Sequence, residues 1–578
     1  MVSVVVGSIL SDLTRRAAGV RNTGTPMKLW NAMTHSAAAL GACVMAAGAF
    51  SVERPWDPLD ATLRALIHAH ALTGDPIDSH KLQIPAFNDP LVRLGKLLFY
   101  TKGLSASQDV ACATCHHPFF GFGDNLPLAV GVGAADPDLL GPGRHRENRP
   151  GLFPPFGIGD PAMPRNAATL IGLPFWDQSL TWDGSIYSET SAPGTMGTNS
   201  RIVAPLDTPP VSGMVASPAL WRNELVPYEQ KYDRGMTLAA GFALVPTTQK
   251  AAMRGAAFGA NGPPATSAMT DLDVREIMAA RIGNYGAGAG VLPKNEWLPL
   301  FREAFHDDTS PPERLATANR ISTAIAQFER TMTFTNTPWK AYVRGDSSAI
   351  SESAKRGAIL FLMPSTEGGA DCSKCHAGDF FTDENYSNLA VPQVGRGEGN
   401  ANGPADASDD WGRGRVTGKP EDRYKFRTPS LLGVEMTGPY GHTGVFNTLK
   451  DIVKHHLNVE DSLRRFDYST VSAAGGPINV AIAKEHTNLA LQKLLASRAV
   501  FDPYVVQNID LSDTDIDNLV NFMKTLTDPC LKSPTCLAQW IPGASDPDPD
   551  GLRLCAKDEN GRELFPGSCP WKTPRAAD

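Results

Sequence analysis

The chain has few of the features that mark nucleic-acid-binding or membrane-spanning proteins. Its 578 residues carry a formal net charge of -8, and acidic and basic residues are interspersed rather than grouped in blocks. We therefore expect neither nucleic acid nor an anionic membrane surface as a partner. Beyond the N-terminal segment, no stretch reaches the roughly 18 apolar residues of a transmembrane helix. Strand-like alternation is also scarce, whereas 46 Pro and 53 Gly favour short helices joined by long ordered loops.

Residues 1–49 have the pattern of an export signal. A Met-Lys pair at Met27 precedes an Ala-rich apolar stretch that ends in small residues at Ala49. A positive start, an apolar run and a small-residue cleavage site are typical of secretory signal peptides. We expect cleavage after Ala49, a periplasmic mature protein, and translation from Met27, so that residues 1–26 are a mis-assigned extension. A lipid anchor at Cys43 is the alternative, which the apolar run beyond Cys43 disfavours.

Two Cys-x-x-Cys-His motifs stand at residues 112–116 and 372–376. In such a motif the two thiols add across the vinyl groups of a haem, and the following His is carried beneath the iron as its proximal ligand. A zinc site would need further Cys or His at matching spacing, and a thioredoxin-like pair does not need the His. The sequence therefore predicts two covalent c-type haems. The predicted attachment residues and proximal ligands are Cys112, Cys115 and His116 for the first haem, and Cys372, Cys375 and His376 for the second.

Four further cysteines cluster in the C-terminal segment, residues 530–578. An even number in one segment of an exported protein suggests two disulfides. Three pairings are open, and we favour the short-range set, Cys530 with Cys536 and Cys555 with Cys569. The alternative is a loose tail with free thiols.

Ordered sequence motifs surround the two haem motifs. They are Leu-Gly-Lys-Leu-Leu-Phe at 94–99, Arg-Asn-Ala-Ala-Thr-Leu at 165–170, Thr-Trp-Asp-Gly at 181–184, Phe-Arg-Thr-Pro-Ser-Leu at 426–431 and Met-Thr-Gly-Pro-Tyr-Gly-His at 436–442. In this order, from about residue 88 to 530, the chain resembles the bacterial di-haem cytochrome c peroxidase and MauG family.

The resemblance implies a mainly α fold with long loops and a disulfide-stapled C-terminal tail. Two cytochrome c-like haem domains are expected to face each other, an N-terminal one over 85–335 with the peroxidatic haem and a C-terminal one over 336–529 with the electron-transfer haem. An excess of sequence near 208–290 either covers the N-terminal haem or is a peripheral insertion. Apolar periodicity predicts amphipathic helices over 313–333 and 512–526.

The resemblance also implies roles for several residues. Trp182 matches a family tryptophan that lies between the haems and mediates electron transfer; a core Trp is the alternative. Asn166, Thr437 and Pro439 match an interdomain calcium site built from an amide oxygen and two backbone carbonyls, and oxygen ligands suit Ca²⁺. A turn without an ion is the alternative there.

On the peroxide-binding side of the N-terminal haem, the family uses a Gln, a Pro and a Glu. Here Pro205 matches the Pro, Arg201 stands where the Gln is expected, and the Glu has no counterpart. Splitting peroxide needs a proton shuttle and a group that stabilises the departing oxyanion. Arg201 would serve the second need unless it is an unrelated surface residue, and Asp207 is a substitute for the first.

The distal ligand of the C-terminal haem departs from the family pattern. Family peroxidases place a Met, and MauG-type enzymes a Tyr, 19 residues after the Thr that Thr437 matches, and this position is His456 here. Adjacent helix positions point about 100° apart, so only one of His455 and His456 can face the iron, and we favour His456. Imidazole in place of Met should lower the potential of that haem.

The expected function is that of a periplasmic, peroxidase-like di-haem oxidoreductase. It would reduce hydrogen peroxide at the N-terminal haem with electrons routed through the C-terminal haem from a small redox protein. A MauG-like enzyme that oxidises a protein or organic substrate, an oxygenase of the di-haem rubber-cleaving type, and a non-enzymatic electron carrier are the alternatives. Two haems and Ca²⁺ are the expected cofactors, and a homodimer is compatible with the resemblance.

Overall fold

The computed structural model of the chain describes a defined set of segments. They are residues 58–80, 83–105, 108–131, 133–145, 165–176, 178–184, 187–188, 202–203, 271–395, 397, 409–471, 478–499 and 507–569. All of them lie in one compact unit, Trp56–Asp578. The predicted export signal, Arg201, Pro205, Asp207 and most of the 208–290 insertion lie outside the described residues.

The described segments are mainly helical. In chain order the α-helices are α1 (Pro58–Ala69), α2 (Pro76–His80), α3 (Pro90–Tyr100), α4 (Cys112–Cys115), α5 (Asp271–Ile282), α6 (Trp297–Phe305), α7 (Pro312–Leu315), α8 (Ala318–Glu329), α9 (Pro338–Val343), α10 (Glu352–Leu362), α11 (Arg413–Thr417), α12 (Leu449–Leu457), α13 (Val459–Arg465), α14 (Val480–Ala499), α15 (Asp513–Lys524) and α16 (Pro534–Leu537). Short 3₁₀ turns connect many of them. None of the described helices is both long and apolar enough to span a bilayer.

The strands are short and form two antiparallel pairs. They are β1 (Tyr187–Ser188) with β2 (Ile202–Val203), and β3 (Tyr386–Ser387) with β4 (Phe426–Arg427). In the second pair Tyr386 lies opposite Arg427, which joins the segment after the second haem motif to a later part of the chain. The sheets therefore tie loops together and do not form a layer of their own.

Two helix pairs, one in each of the two predicted haem domains, pack around a glycine. In the first, α3 packs on α8, and a Cβ added at Gly95 would lie 1.9 Å from the carbonyl oxygen of Ala324. In the second, α10 packs on α15, and a Cβ at Gly357 would lie 1.9 Å from the carbonyl oxygen of Asn518. Only glycine permits so close an approach of two helix backbones. Each haem motif follows the first helix of one pair along the chain.

The predicted helix over 512–526 matches α15, whose N-cap is Ser512, with its hydroxyl accepting the Asp515 N–H. The predicted single helix over 313–333 is interrupted. It ends as α7 and restarts as α8 after Thr317, whose hydroxyl accepts the Arg320 N–H. A threonine that caps a new helix competes with continuation of the old one.

The hydrophobic core crosses the boundary that we predicted between the two haem domains. One continuous cluster of buried apolar side chains extends from Leu63 to Ala556 and includes residues from both helix pairs. Among the described residues the core shows no boundary between residues 335 and 336, so the division into two haem domains there stays a prediction.

The described part of the C-terminal tail is packed against the rest of the molecule. Disulfides join Cys530 to Cys536 and Cys555 to Cys569, which is the short-range pairing. The buried Asp550 accepts hydrogen bonds from the Thr101 hydroxyl, at 2.6 Å, and the Trp297 indole, at 3.1 Å. These contacts fix the tail to the segment that precedes the first haem motif.

The end of the predicted insertion also belongs to the core. Met278, Ala279 and Ile282 of α5 are fully buried, and the Arg281 guanidinium donates to the carbonyl oxygens of Gly103 and Ser105. This end of the 208–290 segment is therefore bonded to the stretch that precedes the first haem motif, and the role of the whole insertion stays a prediction.

Candidate haem-binding site

The first Cys-x-x-Cys-His segment folds into one helical turn. The backbone N–H of His116 donates to the carbonyl oxygen of Cys112 at 3.1 Å, which brings the thiols and the imidazole to one short stretch. His116 Nδ1 lies 3.1 Å from the carbonyl oxygen of Phe122. Because a carbonyl only accepts, Nδ1 carries the proton, and Nε2 is the nitrogen left to bind a metal.

The second segment repeats this arrangement. The His376 N–H donates to the Cys372 carbonyl at 2.9 Å, and His376 Nδ1 donates to the Phe381 carbonyl at 3.0 Å. Both phenylalanines that hold the imidazoles have left-handed backbones, with φ of 60° at Phe122 and 55° at Phe381. Such values are rare for bulky residues and are retained mostly at functional sites. Phe381 begins a Phe-Thr-Asp motif that is part of the family resemblance, but its role in holding His376 was not predicted, and Phe122 was not predicted at all.

Burial keeps these imidazoles neutral. It lowers the pKa of His376 to about 4, with the neighbouring His456 contributing, and it lowers the pKa of His116 below its ordinary value. The cause is the cost of placing a charge away from water. A neutral imidazole is the form that binds a metal.

A cavity beside the second motif gathers most of the predicted site residues. Its wall includes Asn166, Trp182, Cys372, Cys375, His376, Thr437, Pro439 and His456. These side chains come from segments that are far apart in the sequence. The structure thus brings the predicted C-terminal haem site, the tryptophan and the predicted calcium ligands to one place.

His456 lies opposite His376 across this cavity. The centres of the two rings are 6.4 Å apart and their planes meet at 51°. A metal–imidazole bond of about 2.1 Å and about 1.1 Å from ring nitrogen to ring centre would put two imidazoles on one metal about 6.4 Å apart. His456 Nδ1 donates to the Ile452 carbonyl at 2.8 Å, so its Nε2 is the metal-binding nitrogen. The residues present therefore fit a haem iron held between two histidines.

His455 occupies a different environment. It is fully buried, with Nδ1 3.0 Å from the Ser462 hydroxyl and Nε2 2.8 Å from the Leu389 carbonyl. Because both ring nitrogens already have partners, this imidazole has none left for a metal. Thr448, whose hydroxyl accepts the Asp451 N–H, sets the start of α12 and with it the directions of the two histidines.

Trp182 is held by its backbone and by its indole. Its Nε1 donates to the Asn166 carbonyl at 2.9 Å, and its own carbonyl accepts the Arg427 N–H at 2.7 Å. The next residue, Asp183, is buried and forms an ion pair with Arg165 at 2.7 Å. The Trp-Asp-Gly motif is therefore fixed by buried polar contacts while the indole faces the cavity.

The three predicted calcium ligands meet at the same wall. The Asn166 amide nitrogen donates to the Leu126 carbonyl at 2.7 Å, so the amide oxygen is the atom that could bind a cation. The Thr437 hydroxyl donates to the Val434 carbonyl at 3.2 Å, and the peptide bond before Pro439 is cis. The backbone carbonyls of Thr437 and Pro439 would then be the remaining protein ligands, as the resemblance implies.

Comparison with known proteins decides the family. Residues 89–348 match the profile of the di-haem cytochrome c peroxidase family. The methylamine utilization protein MauG of Methylorubrum extorquens is 26% identical over 368 residues, 63% of this chain and 68% of that protein. The cytochrome-c peroxidase IdrP1 of Pseudomonas sp. strain SCT is 27% identical over 382 residues, 63% of this chain and 70% of that protein. The chain belongs to the di-haem cytochrome c peroxidase and MauG family.

Membership makes the chain a di-haem cytochrome c peroxidase-like oxidoreductase and implies two c-type haems. Among solved structures, the di-haem peroxidase BthA of Burkholderia thailandensis E264 aligns over 81% of this chain and 90% of that chain. The sequence identity is 18% and the TM-score 0.41. The family assignment rests on the sequence relatives.

Two buried acids near the first motif of this peroxidase-like chain were not anticipated. Burial raises the pKa of Asp124 to about 7 and the pKa of Glu329 well above its ordinary value. Burial raises the pKa of the Cys115 and Cys112 thiols, and the charges of Asp124 and Glu329, respectively, raise them further. The sequence offered only Asp207 as a substitute for the family Glu, and Asp207 lies outside the described residues.

Proposed function

We propose that the chain is an exported di-haem enzyme that reduces hydrogen peroxide at the haem attached through Cys112 and Cys115. Electrons would reach it through the second haem, attached through Cys372 and Cys375. The observation that supports this most is the repeated geometry of the two motifs, each with its histidine bound to the carbonyl of a left-handed phenylalanine. A c-type haem supplies an iron that changes oxidation state and reacts with peroxide where one axial position is open.

The residues around the two haem sites would have different roles. His116 Nε2 would bind the iron of the first haem, and Arg201 and Pro205 would, by resemblance, serve the side where peroxide reacts. Arg201 would stabilise negative charge that develops on a peroxide oxygen. His376 and His456 would both bind the second haem and so keep peroxide from it.

Trp182 and the calcium ligands would connect the two sites. The Trp182 indole would pass electrons between the haems, with its position fixed by the Asn166 carbonyl. Asn166, Thr437 and Pro439 would bind Ca²⁺ through oxygen atoms, as hard cations prefer. The electron donor would be a small redox protein of the periplasm, which the mature chain reaches after loss of residues 1–49.

A haem count and a peroxide titration test this function. Pyridine haemochrome analysis should find two haems per chain in the wild type, and one in the double variant Cys372→Ser with Cys375→Ser. Stoichiometric peroxide should change the iron absorption bands of the wild type. Fewer than two haems, or iron bands that ignore peroxide, would contradict the proposal.

A MauG-like function, the oxidation of a protein or organic substrate, is favoured by one observation. His456 stands where the family peroxidases place a Met, and exchange of thioether for imidazole lowers the potential of a haem. A low-potential second haem is less suited to electron uptake and better suited to sharing oxidising equivalents. If a reduced c-type cytochrome returns the peroxide-treated protein to its resting spectrum rapidly, the peroxidase role is supported. A long-lived oxidised state in its presence supports the MauG-like role.

A further inference from the structure

Tyr424 occupies an unusual position in the wall of the cavity beside the second Cys-x-x-Cys-His motif. It is 7% exposed and lines the same cavity as His376 and His456. Its φ is 63°, a left-handed value that bulky residues adopt only where the surrounding structure enforces it. Its hydroxyl donates to Asp409 Oδ2 at 2.5 Å. A phenol in this cavity wall is therefore bound directly to a carboxylate.

The same carboxylate binds an indole. Asp409 Oδ1 accepts a hydrogen bond from Trp411 Nε1 at 3.1 Å, and Trp411 is partly exposed. The two aromatic residues are also linked through their backbones, since the Tyr424 N–H donates to the Trp411 carbonyl at 3.0 Å. Both side chains belong to one small apolar cluster. Phenol, carboxylate and indole thus form a continuous path from the cavity wall towards the surface.

We propose that Tyr424 and Trp411 form an electron relay from an external one-electron donor at the protein surface to the cofactor held by His376 and His456. This inference rests on the proposed function, in which hydrogen peroxide is the oxidant. It adds a point of electron entry that the Cys-x-x-Cys-His motifs and Trp182 do not provide.

Each step of the relay balances. Tyr424 gives one electron to the oxidised cofactor, and its phenolic proton moves along the existing hydrogen bond to Asp409. The neutral phenoxyl radical then takes an electron from Trp411 and the proton back from Asp409. Trp411 takes an electron from the external donor. One electron has moved inward, and all three residues return to their starting state.

The surroundings explain why Asp409 is needed. Burial first, and then Asp409, hold the pKa of Tyr424 above its ordinary value, so the phenol is protonated until it is oxidised. Loss of an electron alone would create a cation in a buried wall, which is costly, and transfer of the proton to Asp409 avoids this. The Arg423 guanidinium lies 3.8 Å from the centre of the Trp411 ring and disfavours a lasting positive charge there. The positive charge is therefore passed on to the external donor.

The competing interpretation is structural, with the two hydrogen bonds only fastening the segment from Asp409 to Tyr424. Tyr424→Phe distinguishes the relay from the structural interpretation, because it keeps the ring and removes only the hydroxyl. Tyr468→Phe is the matched control. Tyr468 is also buried, 5% exposed, but it lies in a different apolar cluster and outside the cavity wall that contains Tyr424.

The experiment uses the holoprotein, mixed with stoichiometric hydrogen peroxide without a donor, frozen, and examined by electron paramagnetic resonance. Ring-deuterated tyrosine identifies a tyrosyl signal through a change in its hyperfine pattern. The wild type and Tyr468→Phe should show this signal, and Tyr424→Phe should lose it while its iron signals still respond to peroxide. In Trp411→Phe the signal should persist, and ferrocyanide should quench it more slowly than in the wild type.

Two results would overturn the relay. A tyrosyl signal of unchanged size in Tyr424→Phe, with iron that responds to peroxide, would overturn the relay and leave the proposed function intact. Iron signals that ignore peroxide in the wild type would overturn both, because the relay depends on that oxidant.

Discussion

Removal of the His456 imidazole should change the C-terminal haem while leaving the N-terminal haem as it is. In His456→Ala the ligand that lies 6.4 Å from the His376 ring is absent, so the iron should become high-spin or water-ligated. Each tenfold difference in the affinity of imidazole for oxidised over reduced iron corresponds to about 59 mV. We therefore expect the potential of this haem to rise by on the order of 100 mV, within the roughly 0.8 V that axial ligands control.

His455→Ala is the matched control, because the two residues are neighbours on one helix. His455 is fully buried and bonded to the Leu389 carbonyl and the Ser462 hydroxyl. Its loss removes the imidazole partner of a partly buried carbonyl and a partly buried hydroxyl and leaves a cavity in the interior, which should lower the free energy of unfolding by about 1–3 kcal/mol. Truncation of His456 removes a bond to a helical carbonyl that also accepts a backbone N–H. His455→Ala should therefore lose more stability than His456→Ala and keep its haem spectrum. His456→Ala should lose less stability and change the spectrum of the C-terminal haem.

Absorption spectra, electron paramagnetic resonance and a potentiometric titration of the purified variants measure these effects. Added imidazole should restore the low-spin spectrum of His456→Ala by entering the vacated space. The ligand assignment is wrong if the low-spin signal of the C-terminal haem survives in His456→Ala. A methionine-to-iron charge-transfer band in the near-infrared spectrum of the wild type would also refute it.

Three further predictions follow from the surroundings of the haem motifs. Trp182→Phe, at preserved haem content, should slow electron exchange between the haems without preventing peroxide binding; unchanged stopped-flow kinetics would return Trp182 to a packing role. Burial raises the pKa of the Asp124 carboxyl to about 7 in the folded protein, from 3.8 for an exposed aspartate, so the free energy of unfolding should fall by on the order of 4 kcal/mol as pH rises between these values. Asp124→Asn should flatten that part of the pH profile in denaturant titrations, and an unaltered profile would exclude Asp124 as its source. Trp540 of the C-terminal tail packs against Phe122, whose carbonyl accepts the His116 Nδ1 hydrogen bond. Trp540→Ala should lower the free energy of unfolding by about 3–5 kcal/mol and shift the potential of the N-terminal haem more than that of the C-terminal haem, and equal shifts would contradict this.

Local sequence signals were sufficient for part of this structure. The apolar spacing of α15 and its Ser512 cap are properties of adjacent residues, and the helix is where they indicate. For α12, the 19-residue spacing from Thr437 that the family resemblance supplies selected His456, and the structure places this residue opposite His376. The break before α8 was missed because apolar periodicity continues across it, although Thr317 carries a cap signal.

Other features depend on contacts between distant segments. Nothing local indicates that Tyr424 lines a haem cavity, since that requires the chain from Asp409 onward to return beside it. The left-handed conformation of Phe122 and Phe381 likewise follows from the need to aim a carbonyl at an imidazole. The packing of the tail against Thr101 and Trp297 could not be read from its cysteines, which indicate only that it is cross-linked.

The two haem motifs are alike locally but are supported by different parts of the chain. Phe381, which holds His376, packs against Phe361 and Phe522 at ring separations of 6.0 and 6.3 Å, so its support comes from α10 and α15. Phe122, which holds His116, packs against Phe334 at 5.4 Å and Trp540 at 6.5 Å. Trp540 belongs to the disulfide-bonded tail, and its indole donates to the Thr331 hydroxyl at 3.0 Å. The C-terminal tail is therefore part of the scaffold that orients His116, although more than 400 residues separate Trp540 from His116 in the sequence.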